Sequence, residues 1–355
     1  MKVLVGLSGG VDSSVAALIL KQQGHEVIGG TMQIWGKDGI AVKSGHKDAC
    51  YGPDEVENIE EAGKIAEKIG IPYHVFNCVE QYEKFVLENF KSEYIQGRTP
   101  NPCVWCNALI KFGALPHVAK ENGIAFDKFA TGHYARVEEK DGKYILKRGI
   151  ATHKDQSYFL YRLKQEQLSN IILPLGGFTK EEIRKIARDN GLEVAEKPDS
   201  QDFYGGDYNE LLGLKELEGN IVDTEGNILG QHKGIWNYTI GQRKGLGISS
   251  TEALYVLSLN KDSNEVVVGF ADKTFKKSLT AVNLNWISID KPTSEFRAQA
   301  KIRSTQQPVD VTVIPKQDNI EVTFDDLQKS IAIGQSVVLY DGDTVLGGGI
   351  IEAVE

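Results

Sequence analysis

Through its first 130 residues the chain alternates two hydrophobic patterns. Short apolar runs, "KVLVGL", "HEVIGGTMQIW", "IPYHVFN" and "FDKFATGHY", have the length and content of buried strands. Between them, "VDSSVAALILKQQG" and "DEVENIEEAGKIAEKIG" carry apolar residues at helical spacing and end on glycine. Strands separated by helices predict a parallel sheet covered on both faces. Such sheets bind ligands on the loops that follow the carboxyl ends of their strands. From about residue 210 the period changes to two. "GNIVDTEGNILGQH", "EALYVLSLNKDSNEVVVG" and "SVVLYDGDTVLGGGIIEA" alternate around Glu-Gly, Lys-Asp and Asp-Gly turns, the pattern of antiparallel hairpins. A short helix is expected at "TFDDLQKS". The predicted organisation is an α/β domain at 1–210, a small middle module at 211–275 and an antiparallel β-barrel at 276–355. No internal repeat or low-complexity linker interrupts it.

Charge narrows the function classes. Forty basic and 49 acidic side chains give a net charge of −9, which excludes a nonspecific polyanion binder but leaves room for a local basic face. The longest helical apolar run, "VAALIL", is far short of the ~20 residues a membrane span needs. "MKVLVGLSGG" has no secretory h-region. A cytoplasmic protein without membrane partners is therefore expected. In that compartment the four cysteines, Cys50, Cys78, Cys103 and Cys106, stay reduced. Cys103 and Cys106, at C-x-x-C spacing in "PNPCVWCNALIKFG", then read as a metal or catalytic site.

The unusual residues fall on the loops after the predicted strands. "GLSGGVDSS", Gly6-Leu7-Ser8-Gly9-Gly10-Val11-Asp12-Ser13-Ser14, follows the first strand and opens a helix. Its glycines permit a nest of main-chain N–H groups at a helix N-terminus, an anion site to which Ser8, Ser13 and Ser14 add hydroxyls. No lysine follows the glycines as it would in a Walker A loop, and the spacing is not G-x-G-x-x-G. Asp12 is placed to help hold Mg²⁺ on phosphates. Cys50 is expected in the loop after the second strand, Cys78 directly after the third, and Thr131-Gly132-His133 after the fourth. All four cysteines are thereby predicted at one rim of one sheet. In the C-terminal half, "HKGIWNYTIGQRKGLG" interleaves His232, Lys233, Arg243 and Lys244 with Trp236 and Tyr238 and has no acidic residue. That mixture suits phosphate contact and base stacking on RNA.

"SGGVDSS" resembles the signature of the PP-loop ATP pyrophosphatases. "GRTPNPCVWCNALIKFG", "FATGHYAR", "KDQSYFL", "KPDSQDF", "GQHKGIWNYTIGQRKGLGI" and "AKIRSTQQP", in that order across nearly the whole chain, resemble the tRNA-specific 2-thiouridylase family. The resemblance implies an adenine-nucleotide hydrolase-like fold and an enzyme that adenylylates the C2 oxygen of a tRNA uridine, at the wobble position, before sulfur displaces AMP. It implies ATP and Mg²⁺ as cofactors, and tRNA and a sulfur donor, hydrosulfide or a persulfide carrier, as partners. Residue by residue, it implies Cys106 as the catalytic cysteine and Met32 and Gly132 at the adenine nucleotide. It implies Asn101, Pro102 and Cys103 at the target base, and His133, Lys154, Asp155, Gln156, Arg303, Ser304 and Gln335 at the RNA. On the residues alone, His133 also reads as a loop histidine, Met32 as core, and Lys154, Asp155 and Arg303 as surface charges.

The chain departs from the family in two places. The commoner members have D-x-x-C where this chain has Cys103-x-x-Cys106. They also carry a second, persulfide-bearing cysteine in a segment like "SQxICF", and here Asp202 is followed by Phe203 with no cysteine. The gained C-x-x-C beside Cys50 and Cys78 suggests a [4Fe–4S] cluster on Cys103, Cys106 and a third thiolate, Cys50 or alternatively Cys78. Rival readings are a cluster-free persulfide route with Cys106 and Cys103 as a redox pair, and a structural Cys₄ zinc site. Two other readings change the function itself: an RNA-binding PP-loop protein without thiolation activity, or an adenylylating ligase or amidotransferase acting on another substrate.

Overall fold

The structure is a computed structural model that describes residues 1–36, 49–197, 202–205 and 208–355. The chain forms two compact units. One comprises Met1–Val86, Cys103–Gly206 and Asp343–Leu346, and the other Leu87–Pro102, Asp207–Gly342 and Gly347–Glu355.

The strands of the first unit are, in chain order, β1 (Lys2–Gly6), β2 (Glu26–Gln33), β3 (Ala49–Tyr51), β4 (Tyr73–Asn77), β5 (Lys128–Ala130), β6 (Ala135–Lys140), β7 (Lys143–Arg148), β8 (Ile171–Ile172) and β9 (Asp202–Tyr204). Five of them make a parallel sheet in the order β4-β2-β1-β5-β8. The four predicted strands are present, and β8 extends the sheet by a two-residue strand too short to show a period. The chain runs from β1 outward through β2 to β4 and returns to β5 on the other flank of β1. That reversal opens the crevice in which open α/β sheets place their ligands, beyond the carboxyl ends of β1 and β5. Helix α1 (Val11–Gln22) buries Val15, Ala16, Ala17 and Leu20 in one core with Val3 and Val5 of β1. Helix α2 (Glu55–Ile69) adds Ala62 and Ala66, and the helix Lys180–Asp189 adds Ile183 and Ala187. Small residues on these helix faces let the layers approach closely.

The second unit holds two β-structures. β10 (Gly219–Val222), β11 (Ile228–His232), β12 (Tyr255–Asn260) and β13 (Glu265–Gly269) form a sheet in the order β11-β10-β13-β12. β14 (Phe275–Trp286), β15 (Phe296–Lys301), β16 (Val309–Pro315), β17 (Asn319–Lys329), β18 (Ser336–Asp341) and β19 (Thr344–Val354) run β14-β17-β16-β15-β18-β19 and close through a β14–β19 pairing into an antiparallel barrel. The helix expected at "TFDDLQKS" is instead the second half of β17. Ile320, Val322 and Phe324 are buried at period two, and pairing with β14 continues to Lys329. Pairing with β14 and β16 overrides the helical preference that the segment would have alone. Among the described residues no helix is long and apolar enough to cross a membrane.

Candidate active site

The anion-binding loop is held from both sides. Leu7 N–H donates to Gly30 at 2.9 Å, and the Thr31 hydroxyl donates to the Leu7 carbonyl at 2.8 Å, fixing the end of β1 to β2. Gly9 turns the chain at φ +73°, where a Cβ would also lie 2.9 Å from the Asn58 carbonyl; a side chain there is both strained and obstructed. Ser13 Oγ accepts from Ser8 N–H at 3.1 Å and donates to Gly10 O at 3.2 Å, and Ser14 Oγ donates to Gly10 O at 2.7 Å. These bonds shape the turn at the start of α1 without introducing charge. The Gly132 Cα lies against the loop: a Cβ built on it would stand 2.6 Å from Asp12 C and from Ser13 N. The loop after β1 and the loop after β5 therefore share one site.

Asp12 does not stand open. Its carboxylate accepts from the Lys180 ammonium at 2.7 and 2.9 Å and from the Tyr134 hydroxyl at 2.8 Å. Sequence reading missed both partners. Lys180 lies 168 positions from Asp12, in the first turn of a helix whose visible signal is its Thr179 capping box.

The cysteines group around the start of one helix. Cys103 lies in the short helix Pro102–Trp105, and Cys106 opens the π-helix Cys106–Ala114. Such helices widen the turn and are frequent at functional sites. Gln167 braces this one, its amide donating to Ala108 O at 2.8 Å and Phe112 O at 3.0 Å. Burial pushes the Cys106 thiol up to about 12, Lys111 opposing, with the Cys50 and Cys78 charges adding to the rise. Burial pushes Cys103 up to about 11, with the Cys106 charge adding and Lys111 again opposing. Cys50 is exposed, yet crowding by protein atoms, then the Cys103 charge, holds it toward the neutral thiol. Cys50 lies on β3 rather than in a loop. β3 pairs with β9, and Cys50 Sγ points at the Phe203 carbonyl, 3.6 Å away. Cys78 is fully buried just after β4, its N–H on the Gln33 carbonyl at 2.8 Å. Tyr82 is buried where the Cys106, Cys50 and Cys103 charges all reach it, and it stacks on Tyr51 at 5.2 Å. Trp35 and Phe203 pack on Tyr51 in turn, an apolar wall beside the thiols.

Lys111 is the second cation that sequence reading missed. It acts electrostatically on Cys50, Cys103, Cys106 and His133, which links the thiols to the loop bearing Gly132. His133 is buried, and its ring Nδ1 is 2.7 Å from the Thr131 hydroxyl. Burial first, and then Lys111, holds it well below the usual histidine range, so it is a neutral hydrogen-bonding group at pH 7. Among the described residues no three His, Cys, Asp or Glu side chains form a single-ion site. The groups that the Lys111 charge acts on are three thiols and one imidazole, softer donors than a hard cation prefers.

The remaining expected residues divide. Asp155 is not a surface charge: its buried carboxylate accepts from the N–H groups of Gly149 and Ser157, the Ser157 hydroxyl and Arg148. Gln156 accepts from Tyr134 N–H at 2.9 Å, Lys154 N–H donates to Ala151 O, and Met32 is half-buried on β2. In the second unit, Gln335 donates to the Thr99 and Pro100 carbonyls at 3.2 and 2.8 Å and faces Asn101 Nδ2 at 3.4 Å, so it shapes the approach to Pro102. Arg303 donates to Ser330 O at 2.6 Å, and Ser304 is half-buried. The base-stacking expectation for "HKGIWNYTIGQRKGLG" is corrected. Trp236 and Tyr238 are buried, with Trp236 Nε1 on Asn209 Oδ1 at 2.7 Å, and His232 is buried between Asn264 O and Gly234 N–H. These rings fill the unit's interior. Of the basic residues, Lys233 pairs with Glu216 at 3.0 Å, Lys244 is exposed and Arg243 lies in the same surface turn. Residues 198–201, part of the "KPDSQDF" block, lie outside the described residues.

Residues 1–204 match the family described as tRNA methyl transferase HUP domain, residues 211–270 its PRC-barrel domain, and residues 276–351 the aminomethyltransferase beta-barrel domain. The chain is 51% identical over 356 residues to the tRNA-specific 2-thiouridylase MnmA of Endomicrobium trichonymphae, covering 99% of each protein. It is 46% identical over 361 residues to the protein of that name from Acetivibrio thermocellus, again covering 99% of each. The one from Clostridium botulinum strain Alaska E43 is also 46% identical, over 99% of this chain and 98% of its own length.

Proposed function

The chain belongs to the tRNA-specific 2-thiouridylase family, and from that premise we propose that it uses ATP to replace the C2 oxygen of a tRNA uridine, at the wobble position, with sulfur. The uracil oxygen attacks the α-phosphorus, its bond to AMP forms, and the bond to pyrophosphate breaks. A sulfur nucleophile then adds at C2, and AMP leaves with the oxygen. The first step needs charge stabilisation on the leaving pyrophosphate, and the second needs a sulfur held at attack distance. The loop Gly6–Ser14 serves the first step through its N–H groups and hydroxyls, with Mg²⁺ on Asp12 and with Met32 and Gly132 beside the nucleotide. Cys106, Cys103 and Cys50 serve the second. One observation carries the assignment: Gly132 abuts the loop at Asp12, while His133 next to it and the three thiols all feel Lys111. Nucleotide and sulfur chemistry then meet at one sheet edge.

Cys106, Cys103 and Cys50 would hold a [4Fe–4S] cluster, and Cys50 is preferred to Cys78 because it is exposed and the Cys103 charge acts on it. When bound, the cluster supplies a thiophilic metal centre for a sulfur nucleophile. The protein's part is to exclude water with Tyr82, Tyr51, Trp35 and Phe203 and to offset negative charge with Lys111. Asn101, Pro102 and Cys103 would meet the target base. His133, Lys154, Gln156, Lys233, Arg243, Lys244, Arg303, Ser304 and Gln335 would meet or position the RNA; Asp155 would brace Arg148 rather than touch it. We place the nucleotide and sulfur chemistry in 1–210 and the wider tRNA surface in 211–275 and 276–355, in the cytoplasm. The position of Cys50 against β9, the segment without its cysteine, favours a second reading. There, Cys50 or Cys103 partners Cys106 in a persulfide route without iron.

The test is a reaction of anaerobically purified protein with ATP, sulfide and unmodified tRNA. Pyrophosphate and 2-thiouridine are expected in equal amounts; Ser13→Ala should lose both, and Cys106→Ala should lose the 2-thiouridine. ATP consumption without thiolated nucleoside under any sulfur donor would overturn the assignment.

A further inference from the structure

The leaving pyrophosphate carries several negative charges, yet the loop Gly6–Ser14 contributes only neutral donors and an aspartate. A cation is supplied from elsewhere in the fold. Lys180 is 5% exposed, and its ammonium lies 2.7 and 2.9 Å from the two carboxylate oxygens of Asp12. Tyr134 donates its hydroxyl to the same carboxylate at 2.8 Å, and its ring centre lies 5.9 Å from the ammonium. A purely structural role does not account well for this pair. Burying the ammonium, beside an Asp12 side chain that is itself 27% exposed, costs desolvation that the attraction barely recovers, and apolar contact would join the two helices as firmly. The small residues of α1 already pack in one core with Ile183 and Ala187 of the Lys180 helix. The pair is placed instead in the first turn of α1, where an anion meets the loop.

We propose that Lys180 is the phosphate-binding cation of this loop, kept in reserve by Asp12 until the nucleotide arrives. The inference rests on reading Gly6–Ser14 as the nucleotide site. With Mg²⁺ and ATP bound, the Asp12 carboxylate would turn to the metal and the ammonium would turn from Asp12 to the β- and γ-phosphate oxygens. Lys180 then stays with pyrophosphate as its bond to the α-phosphorus breaks. The absence of a lysine from the loop sequence and the burial of a distant one beside it are two sides of one arrangement.

The experiment is a calorimetric cycle on the full chain. Without divalent metal, inorganic pyrophosphate is titrated into wild type, Asp12→Asn, Lys180→Met and the double variant. Asp12→Asn removes the carboxylate's hold on the ammonium and should bind pyrophosphate about tenfold or more tightly than wild type, the size of a charge-assisted hydrogen bond. Adding Lys180→Met should erase that gain. With Mg²⁺, Lys180→Met should lose about 10- to 100-fold in ATP affinity while Lys180→Arg keeps most of it. The double variant leaves no unmatched charge from the pair, so it reports on binding even if Lys180→Met alone folds poorly. A double variant that binds pyrophosphate as tightly as Asp12→Asn overturns the role of Lys180 and leaves the nucleotide site standing. Wild type that binds neither pyrophosphate nor Mg²⁺-ATP overturns the nucleotide site and the inference with it.

Discussion

Replacing Gly132 with alanine adds one methyl group where the structure has no space for it. The new Cβ would stand 2.6 Å from Asp12 C, 2.6 Å from Ser13 N and 2.9 Å from Asp12 O, whereas ordinary contact begins at 3.4 Å. All three atoms are backbone, so no side chain can rotate away, and the two loops must part by roughly 0.8 Å. Forcing a methyl into such a contact costs about 1–3 kcal/mol. In a unit of this size that lowers the melting temperature by several degrees, at about 2–4 °C per kcal/mol. The functional loss should be larger. The displaced atoms are those that orient the anion nest, and a misplacement approaching 1 Å costs on the order of 100-fold in rate. Gly177→Ala is the control, since a Cβ there meets nothing within 4 Å. Thermal melts and tRNA-dependent pyrophosphate release should show both losses for Gly132→Ala and neither for Gly177→Ala. If the two variants behave alike, the close approach of the loops is not what shapes the site.

Protein purified without oxygen should be brown and hold about four irons and four sulfides per chain, as a cubane cluster requires. Cys103→Ala, Cys106→Ala and Cys50→Ala should each bleach it and Cys78→Ala should not, while Cys103→Asp should fail to restore it; thiolation by iron-free protein given a persulfide donor would refute this. The variant carrying Lys233→Ala, Arg243→Ala and Lys244→Ala should bind tRNA more weakly, with a log–log salt slope shallower by about 0.7–0.9 for each phosphate that is no longer neutralised; an unchanged slope places the RNA elsewhere. His133, depressed in the folded chain, contributes stability that is complete above pH 6.5 and is lost as pH falls toward the folded value. Urea unfolding between pH 7.5 and 5.5 should therefore fall more steeply for wild type than for His133→Gln, by up to about 1.4 kcal/mol per pH unit, and parallel profiles would show that His133 titrates normally.

What the sequence made legible was whatever repeats locally. The apolar runs that became β1, β2, β4 and β5 carry their own signal, and so do the glycines of "SGGVDSS". Residues that meet only through the fold carry none. Nothing in "FTKEEIRK" marks Lys180 as the partner of Asp12, and nothing in "CNALIKFG" marks the widened helix that brings Lys111 toward both the thiols and His133. Trp236 and Tyr238 misled for the complementary reason. An aromatic residue among basic ones suits RNA stacking and core packing equally, and only burial separates the two. At "TFDDLQKS" a short segment compatible with a helix was claimed by strand pairing that had already begun at Asn319.

The departures from the family at 103 and at 202–204 become one feature once the register is known. β3 and β9 run parallel with Ala49 opposite Asp202 and Tyr51 opposite Tyr204, so Cys50 falls opposite Phe203. Adjacent strands lie about 4.8 Å apart. In the family segment "SQxICF" the cysteine falls at the position of Tyr204, which faces Tyr51, so Cys50 stands one residue along β3 from the facing position, and the thiol charge that acts on it is that of Cys103. On the reading proposed above, Cys50 on β3 would stand in for the sulfur that β9 lacks. Cys103, where the commoner members have a carboxylate, gives Cys50 a sulfur neighbour whose own negative charge also holds Cys50 toward the neutral thiol. The Lys111 charge acts on all three, so the chain has a group of three thiols flanked by one cation. On the reading proposed above, that grouping would favour holding a cluster over exchanging a single disulfide, because several neighbouring thiolates need an opposing charge to coexist in a buried place.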